Sequence, residues 1–257
     1  MNRSALMTII VVLCLWPALA TGQIVNILDQ ADELPEGFSG AVSIPMQWRT
    51  GNPDLFQVAV DGEVGYRRGD MLYLFIARGE YGEKEGERFL SGHFEHLRIR
   101  KRVTDRFSWE TFLQLSNDKF QRLSVRALAG LGIRITLAKW TEGRFTFGTA
   151  YMAEYEELSG QGGTRLSNDT TTFSNRWSNY LQLNILLQDN LSFSETAFVQ
   201  PVIDEFDDLR ILSDTSLRIH AGAFFVKNTF LLTFDTRAPL GVDRRQTTLK
   251  SSLGFEF

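Results

Sequence analysis

The sequence predicts an all-β protein, an antiparallel transmembrane β-barrel of about twelve strands. Three observations predict this fold. Apolar and polar residues alternate with a period of two along most of the chain, as expected for strands with one face in lipid and one in a polar interior. The connectors between the alternating stretches are short and long in turn. The last alternating stretch ends the chain on Phe257.

The composition excludes several other classes. The chain has 257 residues, 43% of them hydrophobic, and a formal net charge of −4. This hydrophobic share is too low for a polytopic helical membrane protein. The near-balance of charge does not favour binding to nucleic acid, which requires a basic excess, and we expect no nucleic-acid partner.

The first twenty residues have the organisation of a secretory signal peptide. A positive start at Arg3 is followed by an apolar stretch and by a small-x-small site that ends at Ala20. A retained membrane anchor is the alternative, but the stretch is shorter than the roughly 20 residues that span a bilayer. We therefore predict a signal peptide at 1–20, a periplasmic segment at 21–38 and an outer-membrane barrel at 39–257.

The single cysteine, Cys14, falls within the predicted signal peptide. The mature chain then has no disulfide and no thiolate chemistry.

The alternation is clearest in the middle of the chain. Along 121–138 the odd-numbered residues from Leu123 to Leu137 are apolar, whereas their neighbours include Arg122, Arg126 and Arg134. We predict twelve strands of this kind, at 39–48, 54–66, 71–81, 88–103, 106–117, 121–138, 143–156, 174–188, 190–202, 208–226, 228–238 and 243–257.

The connectors fall into two classes. Tight turns are predicted at 68–70, 104–105, 189 and 227–228, and longer polar loops at 82–87, 157–173 and 203–207. Short turns at one end and longer loops at the other are typical of outer-membrane barrels. An even strand number places both termini at the short-turn end, the periplasm.

The last strand carries the most specific local pattern. Leu253, Phe255 and Phe257 occupy one face, and the chain ends on an aromatic residue. This pattern resembles the assembly signal of outer-membrane barrels, although an ordinary amphipathic edge strand is the alternative. We expect the strand to be recognised by the barrel-assembly machinery, and the finished barrel to be a monomer surrounded by outer-membrane lipid.

Short motifs along the chain resemble one protein family. Thr50–Asp54 resembles the Gly-Asn-Thr turn of the YdiY-like salt-induced outer-membrane proteins. Glu36–Gly40, just before the first strand, and Leu191–Phe193 with the later Pro201 are also similar to that family. The family has a domain of unknown function, so the resemblance implies a barrel in the outer membrane and no particular chemistry.

The predicted inner face carries charges of both signs. Its candidate residues are Asp61, Glu63, Arg98, Arg100, Glu110, Arg122, Arg126, Arg134, Glu154, Asp214, Arg218 and Asp235. In one interpretation the arginines line a water-filled path that favours anions. In the other they pair with the carboxylates and fill the interior, which the near-equal numbers of both signs favour.

No sequence motif points to catalysis. The chain has neither a His-Glu-x-x-His nor a Gly-x-Ser-x-Gly motif, and we expect no cofactor, metal or catalytic residue. The leading hypothesis is a non-enzymatic outer-membrane barrel that acts as a narrow passive channel or as a component of the envelope response to salt or acid. One alternative is a lipase- or protease-type hydrolase using His96 or His220. Another is a structural barrel whose loop 157–173 binds a partner.

Overall fold

The strands of the chain follow one another around a single closed barrel. The computed structural model describes residues 34–50, 55–84, 87–118, 123–158, 170–238 and 242–257. The strands are β1 (Gly37–Thr50), β2 (Leu55–Arg68), β3 (Met71–Lys84), β4 (Glu87–Arg102), β5 (Phe107–Asp118), β6 (Leu123–Trp140), β7 (Gly143–Leu158), β8 (Thr170–Gln188), β9 (Leu191–Pro201), β10 (Leu209–Ala221), β11 (Phe224–Asp235) and β12 (Arg245–Glu256).

Each strand pairs antiparallel with the next, and β1 pairs with β12 to close the ring. Closure leaves no strand edge unpaired, which is what a sheet surrounded by lipid requires. The predicted fold class, a twelve-stranded antiparallel barrel of the outer-membrane type, is therefore confirmed.

The two faces of the barrel differ in polarity. Large apolar side chains such as Val60, Leu131 and Leu253 are more than half exposed on the outer face. The intervening residues point into the lumen, where charged and hydroxyl side chains such as Glu154 and Thr196 are almost fully buried. The period-two alternation thus places the apolar set outside and the polar set inside.

The two ends of the barrel have different connectors. At the end that carries Gly37 and Glu256, which we name the terminal rim, four of the five connectors are two residues long. Gly69 and Gly222 occupy such turns with φ of 55° and 66°, a conformation that glycine adopts without strain. At the opposite end, the distal rim, the connector between β9 and β10 spans residues 202–208, and that between β11 and β12 spans 236–244.

One predicted turn is wrong. The sequence predicts a strand over 208–226 and a turn at 227–228, but β10 ends at Ala221 and β11 begins at Phe224. The turn is formed by Gly222 and Ala223. These two residues and the neighbouring Ala221 are small, so the turn hardly interrupts the alternation of apolar and polar residues in the sequence.

Strands at the distal rim are longer than predicted. The predicted loop 157–173 gives residues to β7, which extends to Leu158, and to β8, which begins at Thr170. Backbone pairing continues there because ladder hydrogen bonds need no apolar side chain. The rest of that loop, the predicted signal peptide and Arg122 lie outside the described residues. No helix among the described residues is long and apolar enough to cross a membrane.

Three glycines on the lumen side lie beneath aromatic rings. Each faces an aromatic residue directly across a strand pair, in the pairs Phe112–Gly130, Tyr180–Gly148 and Phe225–Gly254. A Cβ atom at any of these glycines would overlap the ring. The glycines therefore make room for large side chains inside the barrel.

Candidate functional site

The lumen holds the densest concentration of buried charge in the described chain. Many of these side chains form two ion-pair networks, and an apolar layer lies at a height between them. We name them the terminal network, toward the terminal rim, and the distal network, toward the distal rim.

The terminal network is centred on Glu110 of β5. Its two carboxylate oxygens pair with Arg98 Nη1 at 2.9 Å and Arg100 Nε at 2.7 Å, both from β4. The Tyr180 hydroxyl of β8 donates a third hydrogen bond to Glu110 Oε2 at 2.8 Å. Arg134 Nη1 donates to the same hydroxyl at 3.1 Å, so the network joins β4, β5, β6 and β8.

The distal network is centred on Glu154 and Glu156 of β7. Glu154 accepts from Arg176 Nε at 2.7 Å and from Arg210 Nη1, and lies 3.4 Å from Arg126 Nε. Glu156 Oε2 pairs with Arg126 Nη2 at 2.6 Å and with Arg210 Nη2 at 3.0 Å. Three arginines from β6, β8 and β10 thus meet two carboxylates inside the barrel.

The distal network also extends to the distal rim. Arg210 Nε pairs with Asp235 at 2.9 Å, and Arg176 Nη2 pairs with Asp208 of the 202–208 connector at 2.9 Å. Above them the exposed Arg237 pairs with Asp207 at 3.0 Å and Glu205 at 2.5 Å. The hydrogen bond from Arg237 lowers the pKa of Asp207 below its ordinary value.

The apolar layer lies between the two networks. Its members are Phe94 of β4, Tyr180 of β8, Phe198 of β9, Leu212 of β10 and Leu231 of β11, and Ile76 packs against them. In a ring of twelve strands, β4 and β10 stand on opposite walls, so this contact crosses the lumen. Leu212 has no exposed surface, which shows how closely the layer is packed.

A vestibule opens from the lumen at the terminal rim. It has a volume of about 620 Å³ and is lined by Glu63, Asn184, Arg218, His220 and Glu256, among others. Arg218 Nη1 donates to Glu256 Oε1, and His220 Nδ1 lies 3.7 Å from Glu256 Oε2. The vestibule is therefore lined by charged, polar and apolar side chains and is accessible at the terminal rim.

Seven of the lumen residues predicted from the sequence lie in the two ion-pair networks. Arg98, Arg100, Glu110 and Arg134 meet in the terminal network, and Arg126, Glu154 and Asp235 in the distal network. The others lie apart: Asp61 pairs with Arg78 at 2.5 Å, Asp214 accepts from Ser216, and Glu63 and Arg218 line the vestibule. The predicted assembly-signal residues Leu253, Phe255 and Phe257 lie on the outer face of β12 or at its end, with their side chains exposed.

The sequence did not single out several residues that complete the networks. Arg176 is an even number of residues from Ser178 and Gln182 and therefore shares their inward face. Arg210 shares the inward face of Asp214 for the same reason. The alternation alone could have predicted both arginines as lumen residues. Tyr180 is harder to find, since an aromatic residue gives no sign of an inward position. The inward position of Arg78 is also hard to predict, because most of the other lumen-facing residues of its strand are apolar.

One of the two histidines that motivated the hydrolase alternative, His96, is buried between aromatic rings. The His96 ring is stacked between Phe94 and Phe112, with centroids 6.1 and 5.8 Å away, and its Nδ1 bonds Gln114 at 3.2 Å. Among the described residues no group of three or more His, Cys, Asp or Glu could hold a metal ion.

The lumen is polar enough to hold ordered water on both sides of the apolar layer. Arg78 Nη1, Arg98 Nε, Ser194 Oγ and Thr233 Oγ1 are buried and have no hydrogen-bond partner in the described chain. Buried polar atoms of this kind are commonly satisfied by water.

A family model described as "Protein of unknown function, DUF481" matches residues 42–257. This match confirms the family resemblance noted in the sequence. No protein of curated function matches the chain at a significant level.

Solved structures with the same architecture are distant in sequence. The NanC porin is 10% identical, over 83% of this chain and 98% of that chain, with a TM-score of 0.54. The KdgM porin is 7% identical over 84% and 99%, and LpxR from Salmonella typhimurium 8% over 84% and 99%, both with TM-scores of 0.46. At these identities the likeness to NanC shows the fold alone.

Proposed function

The chain belongs to the DUF481 family of proteins of unknown function, and we propose that it is a non-enzymatic outer-membrane barrel that acts as a narrow passive channel. In this proposal the apolar layer is a constriction that limits conduction. Small ions and water would cross between the vestibule and the distal network only when the layer is wetted.

The outer face supports membrane insertion. Its exposed side chains are mostly Val, Leu, Ile and aromatic residues, which favour hydrocarbon over water. We place the terminal rim in the periplasm, since short turns lie on that side in outer-membrane barrels. The signal peptide at 1–20 would export the chain, and Phe257 would present β12 to the barrel-assembly machinery.

The apolar layer is the observation that carries the channel proposal. Between the two networks, five apolar side chains meet across the lumen. The charged pair of Arg78, the ladder partner of Phe94, and Asp61 lies beside them. A path between the two rims must therefore pass this apolar contact or the charged pair at its side. Hydrophobic constrictions gate channels by excluding water, so small changes in their width change conduction strongly.

The ion pairs of the distal network suggest weak charge selectivity there. Its arginines are matched by Glu154, Glu156 and Asp235, so their positive potential is largely cancelled at the distance of a passing ion. We therefore propose that any preference for the sign of the ion arises at the terminal network, where Arg98, Arg100 and Arg134 surround the carboxylate of Glu110.

Two features support a non-enzymatic role. His96 is enclosed by aromatic rings, and His220 pairs with Glu256 in the vestibule. Purified protein should leave phospholipid and peptide substrates intact. Hydrolysis that is lost in His220→Ala or His96→Ala would instead establish the hydrolase alternative.

The channel is tested by recording from the purified protein in planar bilayers. Leu212→Ala removes part of the constriction, and we expect a conductance several-fold above that of the wild type. Leu131→Ala, on the outer face of β6, is the matched control and should conduct like the wild type. Heat-modifiable migration on gels confirms that each variant is folded.

Two results would contradict the proposal. If neither the wild type nor Leu212→Ala conducts at any salt concentration, the protein is not a channel. Equal conductance of the wild type and Leu212→Ala would place the constriction elsewhere.

A further inference from the structure

The chain that precedes β1 turns back into the barrel. β1 begins at Gly37, whose φ of 94° is a conformation that side-chain-bearing residues rarely adopt. Leu34, three residues earlier, packs against Leu72 and Leu74 of β3, which are buried on the lumen face. The Leu34 side chain therefore lies inside the terminal rim rather than outside the barrel.

A glycine of β2 makes room for this leucine. A Cβ atom at Gly65 would overlap the Leu34 side chain. Gly65 is also the ladder partner of Leu74, one of the two residues that Leu34 packs against. The lumen wall of β2 and β3 thus has a recess, and Leu34 fills it.

A hydrogen bond at the rim holds the same stretch of chain from the outside. The Glu36 carboxylate accepts from the N–H of Gly69, in the turn between β2 and β3, at 2.9 Å. Pro35, with its fixed φ, lies between this bond and the Leu34 contact. We name residues 34–36 the strap, because they are fastened to the β2–β3 hairpin at both ends.

The strap forms the wall of the vestibule on the side of the terminal network. Leu34 and Pro35 both line the vestibule. Leu72, which Leu34 contacts, is the ladder partner of Arg100 in the terminal network. Within the described chain, no side chain of that network lines the vestibule. The strap is therefore placed to separate the two.

We propose that the strap is an inhibitory element, which closes the terminal network to solutes in the vestibule until it is released from β3. The closure itself does not depend on conduction. Its effect on ion flow rests on the proposed function, since only a conducting barrel has a flow to inhibit.

The strap can open while the barrel stays intact. Leu34 is only partly buried, and the bond between Glu36 and Gly69 is exposed to water. By contrast, β1 is held by backbone ladders to both β2 and β12. Segments with few buried contacts and exposed hydrogen bonds open locally long before the whole protein unfolds. Release of the strap therefore leaves the closed ring of strands unchanged.

Thiol labelling of the folded protein in detergent measures the closure without any current. The full chain carrying Cys14→Ser has no other cysteine, so a single reporter can be introduced. Leu72→Cys is the reporter beneath the strap, and Ser194→Cys is the matched control, because Ser194 is a buried vestibule residue on β9. The probe is a water-soluble maleimide.

Removal of the inner fastening should expose the first reporter alone. We expect Leu34→Ala to raise the labelling rate of Leu72→Cys at least tenfold and to leave that of Ser194→Cys unchanged. Leu34→Met refills the recess and should keep labelling slow. Glu36→Ala removes only the outer fastening, so its effect should have the same direction and be smaller. Heat-modifiable migration on gels shows that each barrel is folded.

Two labelling results would overturn the proposal. One is a Leu72→Cys rate that is the same with Leu34 and with Leu34→Ala. The other is an equal rise at Leu72→Cys and Ser194→Cys, which would show that the whole barrel has loosened.

Recording in planar bilayers tests the effect on ions. If the wild type conducts, Leu34→Ala should conduct at least twofold more, and Leu34→Met should conduct like the wild type. Faster labelling with unchanged conductance would overturn the inhibition of ion flow and leave the channel in place. Absence of current in every protein would contradict the channel alone, because the labelling result still decides whether the strap closes the terminal network.

Discussion

The Tyr180 hydroxyl donates a 2.8 Å hydrogen bond to Glu110 Oε2 from three strands away, while the Tyr180 ring packs against Phe198, with centroids 5.4 Å apart. One side chain therefore belongs both to the terminal network and to the apolar layer. Its position couples the charged and the apolar parts of the lumen.

Tyr180→Phe separates these two roles. It keeps the ring and removes the hydroxyl, leaving Glu110 with one donor fewer, so we expect a loss of about 2 kcal/mol in the free energy of unfolding. Urea unfolding in lipid vesicles, followed by tryptophan fluorescence, measures it. The outward-facing control Tyr151→Phe should cost clearly less, and equal losses would show that the link to Glu110 contributes little.

Glu154→Gln tests the distal network. The substitution leaves Arg126, Arg176 and Arg210 without their shared carboxylate, and breaking a buried pair in this way costs about 3–5 kcal/mol. The same unfolding measurement reports the loss. Glu157→Gln, three residues further along β7 and only half-buried, is the matched control and should change stability little.

Adding Arg176→Gln to Glu154→Gln should cost less stability than Arg176→Gln costs in the wild type, because the pair between Arg176 and Glu154 is already broken. A double variant whose loss equals the sum of the two single losses would indicate that this pair contributes little.

Gly148→Ala tests the fit between glycines and rings. The new Cβ would overlap the Tyr180 ring, and overpacking of this kind costs about 1–3 kcal/mol. Gly79→Ala is the control, since a Cβ at Gly79 would meet no atom within 4 Å. A Gly148→Ala variant as stable as Gly79→Ala would mean that the ring moves aside without cost.

The sequence predicted the fold more completely than the site. Period-two alternation recurs along most of the chain, since each strand needs one apolar face for lipid. Because the pattern repeats so often, the strand number could be predicted even where individual strand ends were uncertain. The alternation led to the wrong turn at 227–228, because Ala-Gly-Ala at 221–223 does not visibly interrupt the apolar–polar pattern. Only the capacity of Gly222 for a positive φ marks the true turn.

The sequence indicates which residues face the lumen but not which of them meet there. Alternation shows that Arg126 and Glu154 point inward, yet it contains no information on which strands meet across the barrel. The apolar layer was missed for the same reason. Phe94, Phe198 and Leu212 share the lumen face with charged residues of their own strands, and in sequence they resemble exceptions to the pattern.

Arg237→Gln tests the electrostatics of the distal rim. The hydrogen bond from Arg237 favours the carboxylate form of Asp207 and lowers its pKa, so removing it should raise that pKa toward the ordinary aspartate value. Carboxyl ¹³C NMR titration measures the shift, with Arg102→Gln at the terminal rim as the control that leaves Asp207 unchanged.

The sign of the pH effect follows from the lowered pKa. The contact between Asp207 and Arg237 is fully present above the unfolded-state pKa of the aspartate and is lost as pH falls through the folded value. Acid should therefore release the 202–208 connector from Arg237. An Asp207 pKa that is the same with and without Arg237 would contradict this.

Phe257 joins the two ends of the barrel. Its N–H donates to Gly40 O and its carbonyl accepts from Gly40 N, both at 2.9 Å, and its ring lies over Gly40. Phe257→Ala keeps the backbone bonds but removes the ring, so we expect a several-fold lower yield of assembled barrel in cells. If refolding of the purified variant in detergent is as efficient as that of the wild type, the loss is one of recognition by the assembly machinery. If cells assemble Phe257→Ala as well as the wild type, the Phe257 ring has no role in assembly.

The width of the apolar layer can be changed in both directions at one residue, Leu231. Single-channel conductance in planar bilayers should rise in Leu231→Ala and fall in Leu231→Phe, with the wild type between them, if this layer limits a passive path through the barrel. The same conductance in all three proteins, or none in any of them, would contradict that claim.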